Sequence, residues 1–527
     1  MTFHFRRSLI LACTLAVTAL VAVMAPGMAS AAAQKSDLDK QCEGSNIKGH
    51  GSTFQAPILV KWAVDFNEVE KVKNKNVKAC GGTQGAKREP KVEFLHEGSN
   101  AGSGACLHGW GAESTEKLKY EEFPFCGTDE APNPEQKKEI EKNKTGGESD
   151  ALETIPVLQG AVAVIVHLPE GCLASSEIKI KGVTTKLGRL VLDRSSIEGV
   201  YKGSIETWKQ LLENQEKEGT GTNKGAGKDK LSCTGGEPEE KDKIQPVVRL
   251  DHSGTTHIFK SFLEQVNPTE DIPMEEYEEE IGGKKTGCGA TLKEKSEKWS
   301  EVSEACQNQR WPTKAHIERG TESGNPGVVK RVNEVASSMG YADLAVAREL
   351  GDFSNPADGG GEEATGEQHH KFWAEVEDTK TPEVTGWSDP SSDGDVKEPA
   401  NSRCKTTKYT EESGKKFPPE NTRDPWNEAK AELVEKEYSI CGLTYDLALR
   451  QYAFFPGTSV ESVGKPEATT VHDFLLWALN TAKDGGGSLE KGTDYEKLSS
   501  SIIKKATEGV EELGWEKPGE AGAKEKT

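Results

Sequence analysis

Residues 155–168 read IPVLQGAVAVIVHL and are rich in β-branched and apolar side chains. Pro156 stands near the start of the run and Pro169 directly after it, and proline commonly marks the limits of secondary structure. A continuous apolar run of this length is typical of a strand that is buried on both faces of an α/β sheet. The stretch therefore predicts a central strand.

Helical patterns flank this strand on both sides in the sequence. After Pro57, apolar residues recur at the spacing of one helix face, and the same spacing follows Ser253 and appears again near the C-terminus. The apolar positions are Leu59, Trp62, Ala63 and Phe66; Ile258, Phe259, Phe262, Leu263 and Val266; and Phe474, Leu475, Leu476, Ala478 and Leu479. Strands that alternate with such helices predict the α/β class.

The chain begins with the three-part layout of a secretory signal. Arg6 and Arg7 precede an apolar stretch at 9–25, and small residues follow at 29–31. We predict that residues 1–31 are a signal peptide and that the protein is exported, to the periplasm or the cell surface.

The cysteines agree with export. The chain has 11, and ten remain once Cys13 is removed with the signal. An even number in an exported chain predicts disulfide bonds, whose pairing the sequence leaves open. No C-x-x-C motif is present, so the sequence predicts neither a metal site nor redox chemistry, and it requires no cofactor.

Charge and length limit the classes of function. The net charge of −21 disfavours nucleic acid and anionic membrane surfaces as partners. A chain of 527 residues is long enough for two or more domains of about 100–200 residues each. Segments near 213–243 and 351–435 are rich in Glu, Gly and other polar residues, and they predict surface insertions with little core of their own.

Three segments have the composition of a site for a small tetrahedral oxyanion. They read GHGSTFQAP at 49–57, GSNAGSG at 98–104 and RLDHSGTT at 249–256. Each offers glycines and hydroxyl groups, and the first and third precede a predicted helix, whose first backbone N–H groups lack partners within the helix. Taken alone, a Ser or Thr before a helix is usually only an N-cap.

Together, and in this order, the segments resemble the phosphate-binding protein of the bacterial phosphate ABC transporter. The resemblance extends through FCGTDEAP at 125–132, the strand at 155–168, and GNPGVVKRVNEVASSMGYADLA at 324–345. It implies a two-lobed type II periplasmic-binding-protein fold of the α/β class, with a ligand cleft between the lobes. Lobe one would comprise 42–157 plus 442–514, and lobe two would comprise 158–441.

The same resemblance implies which residues bind phosphate and assigns none to catalysis. The implied ligand residues are Thr53, Phe54, Ser99, Asp129, Arg249, Ser253, Gly254 and Thr255. Arg249 would supply the full positive charge, and Asp251 would either orient it or cap the following turn. His252 stands where the family usually has glycine, and it either adds charge below about pH 6.5 or points outward.

A carboxylate at Asp129 also has a chemical rationale that does not depend on the resemblance. Phosphate near neutral pH carries at least one proton, whereas sulfate carries none, so an ionised carboxylate can accept a hydrogen bond from phosphate and repels sulfate. Asp129 would then decide selectivity. The alternative is a solvated turn residue before Pro132.

The resemblance implies a monomeric receptor that passes inorganic phosphate to the membrane permease subunits of an ABC importer. Two alternatives stay open: a surface adhesin or phosphate-sensing accessory on the same fold, and a receptor for sulfate, molybdate or arsenate. An enzyme that uses Ser253 and His257 is disfavoured, because no strained G-x-S-x-G turn is present.

Overall fold

The computed structural model describes most of the chain after residue 37. The described residues are 38–67, 79–80, 90–96, 123–134, 136–138, 151–180, 183–218, 229–236, 238, 242–275, 280–281, 284–285, 295–302, 309–351, 353, 370–377, 387–391, 404, 407–410, 417–420, 422–433, 438–452, 464–488 and 493–515. The predicted signal at 1–31, the predicted ligand residue Ser99 and parts of both insertions lie outside these ranges. None of the helices in these ranges combines the length and the apolar character that a membrane crossing requires.

Within the described residues, ten strands form the largest sheet. They are β1 Ile47–Gly51, β2 Val92–His96, β3 Phe125–Thr128, β4 Leu152–His167, β5 Gln245–Val248, β6 Glu318–Arg319, β7 Ser338–Asp343, β8 Lys371–Trp373, β9 Cys441–Leu449 and β10 Tyr495–Glu496. The hydrogen-bonded order is β6-β5-β7-β4-β9-β3-β1-β2, and β8 and β10 also pair with β4.

Strand β4 joins the two halves of this sheet. Its first part, from Leu152 to Ala161, pairs antiparallel with β9, which leads to β3, β1 and β2. Its last part, from Val162 to His167, pairs antiparallel with β7, which leads to β5 and β6. We call these the first half and the second half of the sheet. In each half the outer strands run parallel: β1 with β2 and β3, and β5 with β6 and β7.

The strand predicted at 155–168 is therefore confirmed, with a start three positions earlier in the chain. The earlier start at Leu152 was not visible because Glu153 and Thr154 interrupt the apolar pattern, although both are buried. The predicted α/β class is also confirmed, since helices and a mixed sheet alternate along the chain.

The three predicted helices are present. In the described ranges the α-helices are α1 Ala56–Asn67, α2 Arg194–Lys202, α3 Trp208–Glu218, α4 Gly254–Val266, α5 Gly324–Glu334, α6 Leu344–Leu350, α7 Lys465–Leu479 and α8 Ser500–Glu511. Helices α1, α4 and α7 correspond to the three sequence patterns, and their apolar positions face the core.

Each half of the sheet has its own cluster of buried aromatic rings. Beside the first half, rings from α1, β3 and α7 pack edge to face or tilted: Trp62, Phe66, Phe125, Phe474 and Trp477. Beside the second half, a separate cluster comprises Tyr201, Phe259, Phe262, Trp299, Trp311 and Tyr341. Aromatic pairs of this kind stabilise a core beyond the area they bury, so each half is anchored around its own rings.

Part of the segment at 351–435, which was predicted to be a surface insertion, is packed into the core. Strand β8 pairs with the last residues of β4, and Phe372 and Trp373 are fully buried. Arg189 makes buried ion pairs with Glu375 and Asp389 of the same segment. Composition missed this, because the short apolar strand lies between long polar stretches that dominate any average over the segment.

Three disulfides join described cysteines and confirm the expectation of disulfide bonds. They are Cys42–Cys80, Cys172–Cys233 and Cys404–Cys441. The last one connects the 351–435 segment directly to the first residue of β9.

Candidate functional site

Asp129 follows the end of β3 and is fixed from two sides. Its Oδ1 accepts hydrogen bonds from Ser52 Oγ at 2.5 Å and from Thr444 Oγ1 at 2.9 Å. Ser52 also accepts a bond from the backbone N–H of Phe54 at 2.9 Å, which shapes the loop between β1 and α1. The residue is only 2 % exposed. It is therefore a buried, oriented acceptor and not a solvated turn residue.

Arg249 follows the end of β5 and is held by Asp251. Arg249 Nε donates to Asp251 Oδ1 at 2.9 Å, and its NH2 donates to Oδ2 at 2.6 Å. This two-point ion pair leaves NH1 directed at Thr255 Oγ1, 3.5 Å away. Asp251 Oδ1 also accepts the backbone N–H of Gly324 at 3.0 Å, which ties Arg249 to the start of α5. Of the two roles predicted for Asp251, orientation of Arg249 is the one observed.

Ser253, Gly254 and Thr255 form the beginning of α4. Ser253 is the N-cap, and its Oγ accepts the backbone N–H of Thr256 at 3.2 Å. A helix N-terminus carries partial positive charge and exposes unpaired N–H groups, both of which favour an anion. Ser253 therefore has the capping role that the sequence left as an alternative, and this does not prevent its hydroxyl hydrogen from donating to a ligand.

The two halves of the sheet meet at these residues. Asn325, in the first turn of α5, donates through its backbone N–H to Thr53 Oγ1 at 3.1 Å. Its side-chain Nδ2 donates to Thr53 Oγ1 at 3.3 Å and to Thr255 Oγ1 at 3.2 Å. The N-termini of α1, α4 and α5 are thereby brought together with Asp129 and Arg249. The predicted residues Thr53, Phe54, Asp129, Arg249, Ser253, Gly254 and Thr255 all lie in this region, and Ser99 lies outside the described residues.

Uncharged groups close the region behind Phe54. Tyr495 OH donates to the backbone carbonyl of Phe54 at 2.6 Å and lies 3.3 Å from Asp343 Oδ1. Burial raises the pKa of Asp343 well above its ordinary value, so the neutral form is favoured. Burial likewise raises the pKa of Tyr341 to about 12, and the Tyr341 OH lies 2.7 Å from Thr256 Oγ1. Burial thus disfavours the charged form of both groups.

A cleft of about 680 Å³ opens beside Asp129 and α4. One wall is formed by the α4 residues His257, Ser261 and Gln265, and another by residues 426–431. His257 Nδ1 lies 4.0 Å from Glu130 Oε1. His257 thus faces a carboxylate in the cleft, one helical turn from Ser253, whose Oγ caps the helix.

Sequence reasoning missed two residues of the site, Thr444 and Asn325, and it gave Ser52 no contact with Asp129. Asn325 lies in the stretch GNPGVVK, which was part of the resemblance but carried no assigned role. Its partner Thr53 is 272 positions away in the chain, so no local pattern indicates the contact.

Several known proteins are similar to this chain. The phosphate-binding protein PstS of Methanocaldococcus jannaschii is 25% identical over 307 residues, which is 58% of this chain and 54% of that protein. The chain thus spans about half the length of this curated relative.

Two solved structures align over most of the chain at low identity. A phosphate-binding protein from Stenotrophomonas maltophilia has 14% identity and a TM-score of 0.46, covering 88% of this chain and 93% of that one. An ABC-type phosphate transport receptor from Vibrio cholerae has 13% identity and a TM-score of 0.32, covering 88% and 98%. Likenesses this distant establish nothing about the ligand. Residues 29–355, more than half of the sequence, match the PBP superfamily domain, and the chain belongs to that superfamily.

Proposed function

We propose that the protein is an exported receptor that captures inorganic phosphate. One observation supports this most strongly: contacts link the buried Arg249, two threonine hydroxyls and three helix N-termini in the region that contains the buried Asp129. Donors in this number suit a tetrahedral oxyanion, because each of its oxygens can accept more than one hydrogen bond. Asp251 is held in the ion pair with Arg249, so Asp129 is the carboxylate that would suit an oxyanion that still carries a proton.

The proposed roles follow from position. Arg249 NH1 and the hydroxyls of Thr53 and Thr255 would donate to phosphate oxygens, as would the backbone N–H groups of Phe54 and Gly254. Ser253 and Ser99 would add hydroxyl donors. Asp129 would accept a hydrogen bond from the protonated phosphate oxygen. A buried acceptor that faces an unprotonated anion costs a few kcal/mol, which is enough to exclude sulfate by several orders of magnitude.

The proposed lobes are 42–157 plus 442–514 for lobe one and 158–441 for lobe two. The change of partner along β4, from β9 to β7 after Ala161, supports this division. Thr53 and Asp129 would then belong to lobe one, and Arg249 and Thr255 to lobe two. Phosphate bound between them would favour closure, because only the closed form lets both sets of donors reach it.

The proposal extends to transport. The closed receptor would present phosphate to the membrane permease subunits of an ABC importer, as a monomer and without chemical change to the ligand. The name of the relative from Methanocaldococcus jannaschii, a phosphate-binding protein, supports the ligand. The predicted signal at 1–31 supports export.

Isothermal titration calorimetry tests the proposal. The mature protein is unfolded, dialysed free of anions, refolded with its disulfides intact, and titrated with phosphate and separately with sulfate. We expect one-to-one binding of phosphate and no heat from sulfate. A protein that gives neither heat nor thermal stabilisation with phosphate would exclude the receptor function, and tighter binding of sulfate, molybdate or arsenate would reassign the ligand.

A further inference from the structure

Asn325 is fully buried between two threonines that belong to opposite halves of the sheet. Thr53 precedes α1 beside the first half, and Thr255 lies in the first turn of α4 beside the second. The side-chain Nδ2 of Asn325 has two hydrogens, and one is directed to each threonine. This amide is the only side chain within the described residues that bonds both hydroxyls.

We propose that Asn325 is a specificity-determining positioning residue that forces the hydroxyls of Thr53 and Thr255 to act as hydrogen-bond donors to the bound anion. This inference rests on the function proposed above. Asn325 would act through the threonines and would not itself need to contact the ligand.

The hydrogen bonds that Thr53 Oγ1 accepts determine whether its hydroxyl can accept or only donate. A hydroxyl oxygen has two lone pairs and one hydrogen. At Thr53 Oγ1 the two acceptor positions are taken by Asn325, through its backbone N–H at 3.1 Å and its Nδ2 at 3.3 Å. The Thr53 hydroxyl can therefore only donate its remaining hydrogen outward.

Thr255 has the same arrangement with a different second partner. Its Oγ1 accepts from Asn325 Nδ2 at 3.2 Å and from Arg249 NH1 at 3.5 Å. With both lone pairs used, its O–H also can only donate. Both hydroxyls thus become donors, which suits an oxyanion and opposes a cation or a ligand that must itself donate.

The same contacts join the two halves of the sheet. Because the backbone and the side chain of Asn325 both bond Thr53, α5 is fixed against the loop that precedes α1. The simpler interpretation is that Asn325 only attaches α5 to this loop. It predicts that any loss caused by substitution is independent of the threonine hydroxyls and of pH.

Asn325→Asp separates the two interpretations. Aspartate has nearly the same shape, but its carboxylate only accepts, so the threonine hydrogens would turn toward it and away from the ligand. We expect phosphate affinity to fall at least about tenfold at pH 8. As the pH is lowered to about 4, near the ordinary pKa of an aspartate, protonation of the carboxyl restores one O–H donor, so the loss relative to wild type at the same pH should shrink. Asn333→Asp adds the same charge in the last turn of the same helix and should bind phosphate like the wild type.

A mutant cycle supplies a second test that does not depend on the aspartate variant. Asn325→Ala is measured in the wild type and in a Thr53→Val, Thr255→Val background by phosphate calorimetry, with circular dichroism to show that each variant is folded. We expect Asn325→Ala to weaken binding in the wild type and to add little in the valine background. Equal losses in both backgrounds, or an aspartate variant whose deficit does not change with pH, would overturn the inference. A wild type that binds no phosphate would instead remove the proposed function itself.

Discussion

Gly254, the first residue of α4, lies directly against Asp129. A Cβ atom built on Gly254 would stand 2.6 Å from the Asp129 Cβ and 2.7 Å from its carbonyl carbon. The second contact is with backbone, so rotation of a side chain cannot relieve it. The helix start can therefore approach the carboxylate only because residue 254 has no side chain, and the two halves of the sheet meet at van der Waals distance there.

The close approach predicts the effect of Gly254→Ala. The added methyl group should hold α4 away from Asp129 and weaken phosphate binding about 5- to 150-fold, since overpacking by one such group costs about 1–3 kcal/mol. Calorimetry measures the change. Gly509→Ala is the matched control, because Gly509 lies in α8 where a Cβ would meet only Glu153 at 3.9 Å. Equal affinity of Gly254→Ala and wild type would show that the contact does not matter for binding.

Asp129→Asn should change which anion is bound. The Asn Oδ1 can still accept from Ser52 and Thr444, so the loop keeps its shape, but the amide N–H₂ cannot accept a hydrogen bond from phosphate. We expect the ratio of phosphate to sulfate affinity to fall at least about 100-fold. Paired titrations with both anions measure the ratio, and Asp271→Asn, at an exposed position, should leave it unchanged. A variant that still rejects sulfate would remove the carboxylate as the basis of selectivity.

The sequence predicted the elements of the fold well where periodicity was strong. Strand β4 and the helix after Ser253 both follow from apolar spacing alone, and the structure confirms them. The family resemblance is likewise confirmed by the match of residues 29–355 to the PBP superfamily domain. Strand β8 was missed because it is three residues long and its burial depends on pairing with β4, about 200 positions earlier in the chain.

The site was predicted only in part, because some of its residues have a local sequence signature and others do not. Residues that cap helices or follow strands, such as Ser253 and Asp129, have local signatures. Asn325 has none, because its significance lies in contacts with Thr53 and Thr255 that only the folded chain creates. The ligand roles of the predicted residues remain predictions for the titrations above.

Removal of the Cys404–Cys441 disulfide should destabilise the protein. The bond closes a separation of 37 residues and attaches the 351–435 segment to β9. For the Cys404→Ser, Cys441→Ser variant we expect the free energy of unfolding to fall by about 2–4 kcal/mol, since a cross-link of this span restricts the unfolded chain.

Urea unfolding under non-reducing conditions measures the difference. The variant should also lose less further stability than wild type when a reductant is added, because one of the reducible bonds is already gone. If both proteins unfold at the same urea concentration, the cross-link contributes nothing to stability.

Asp446, in the middle of β9, should make stability depend on pH. Its side chain is fully buried, and Gln55 Nε2 donates to its Oδ1 at 3.3 Å. Burial raises the pKa of Asp446 from 3.8 to about 8. Between these values the folded protein keeps a proton that the unfolded chain releases, so the contribution of Asp446 to stability falls as the pH rises from about 4 to about 8.

Asp446→Asn removes this titration and keeps an acceptor for Gln55. The variant should therefore be more stable than wild type at pH 9, on the order of 2 to 5 kcal/mol, and the difference should shrink toward pH 4.5. Urea unfolding of both proteins at pH 4.5, 7 and 9 tests this, with the exposed Asp271→Asn as the control that should follow the wild type at every pH. Parallel curves for wild type and Asp446→Asn would mean that Asp446 is ionised in the folded protein. Water or a further donor would then have to compensate its charge inside the sheet, because a single amide at 3.3 Å is too weak a partner for a buried carboxylate.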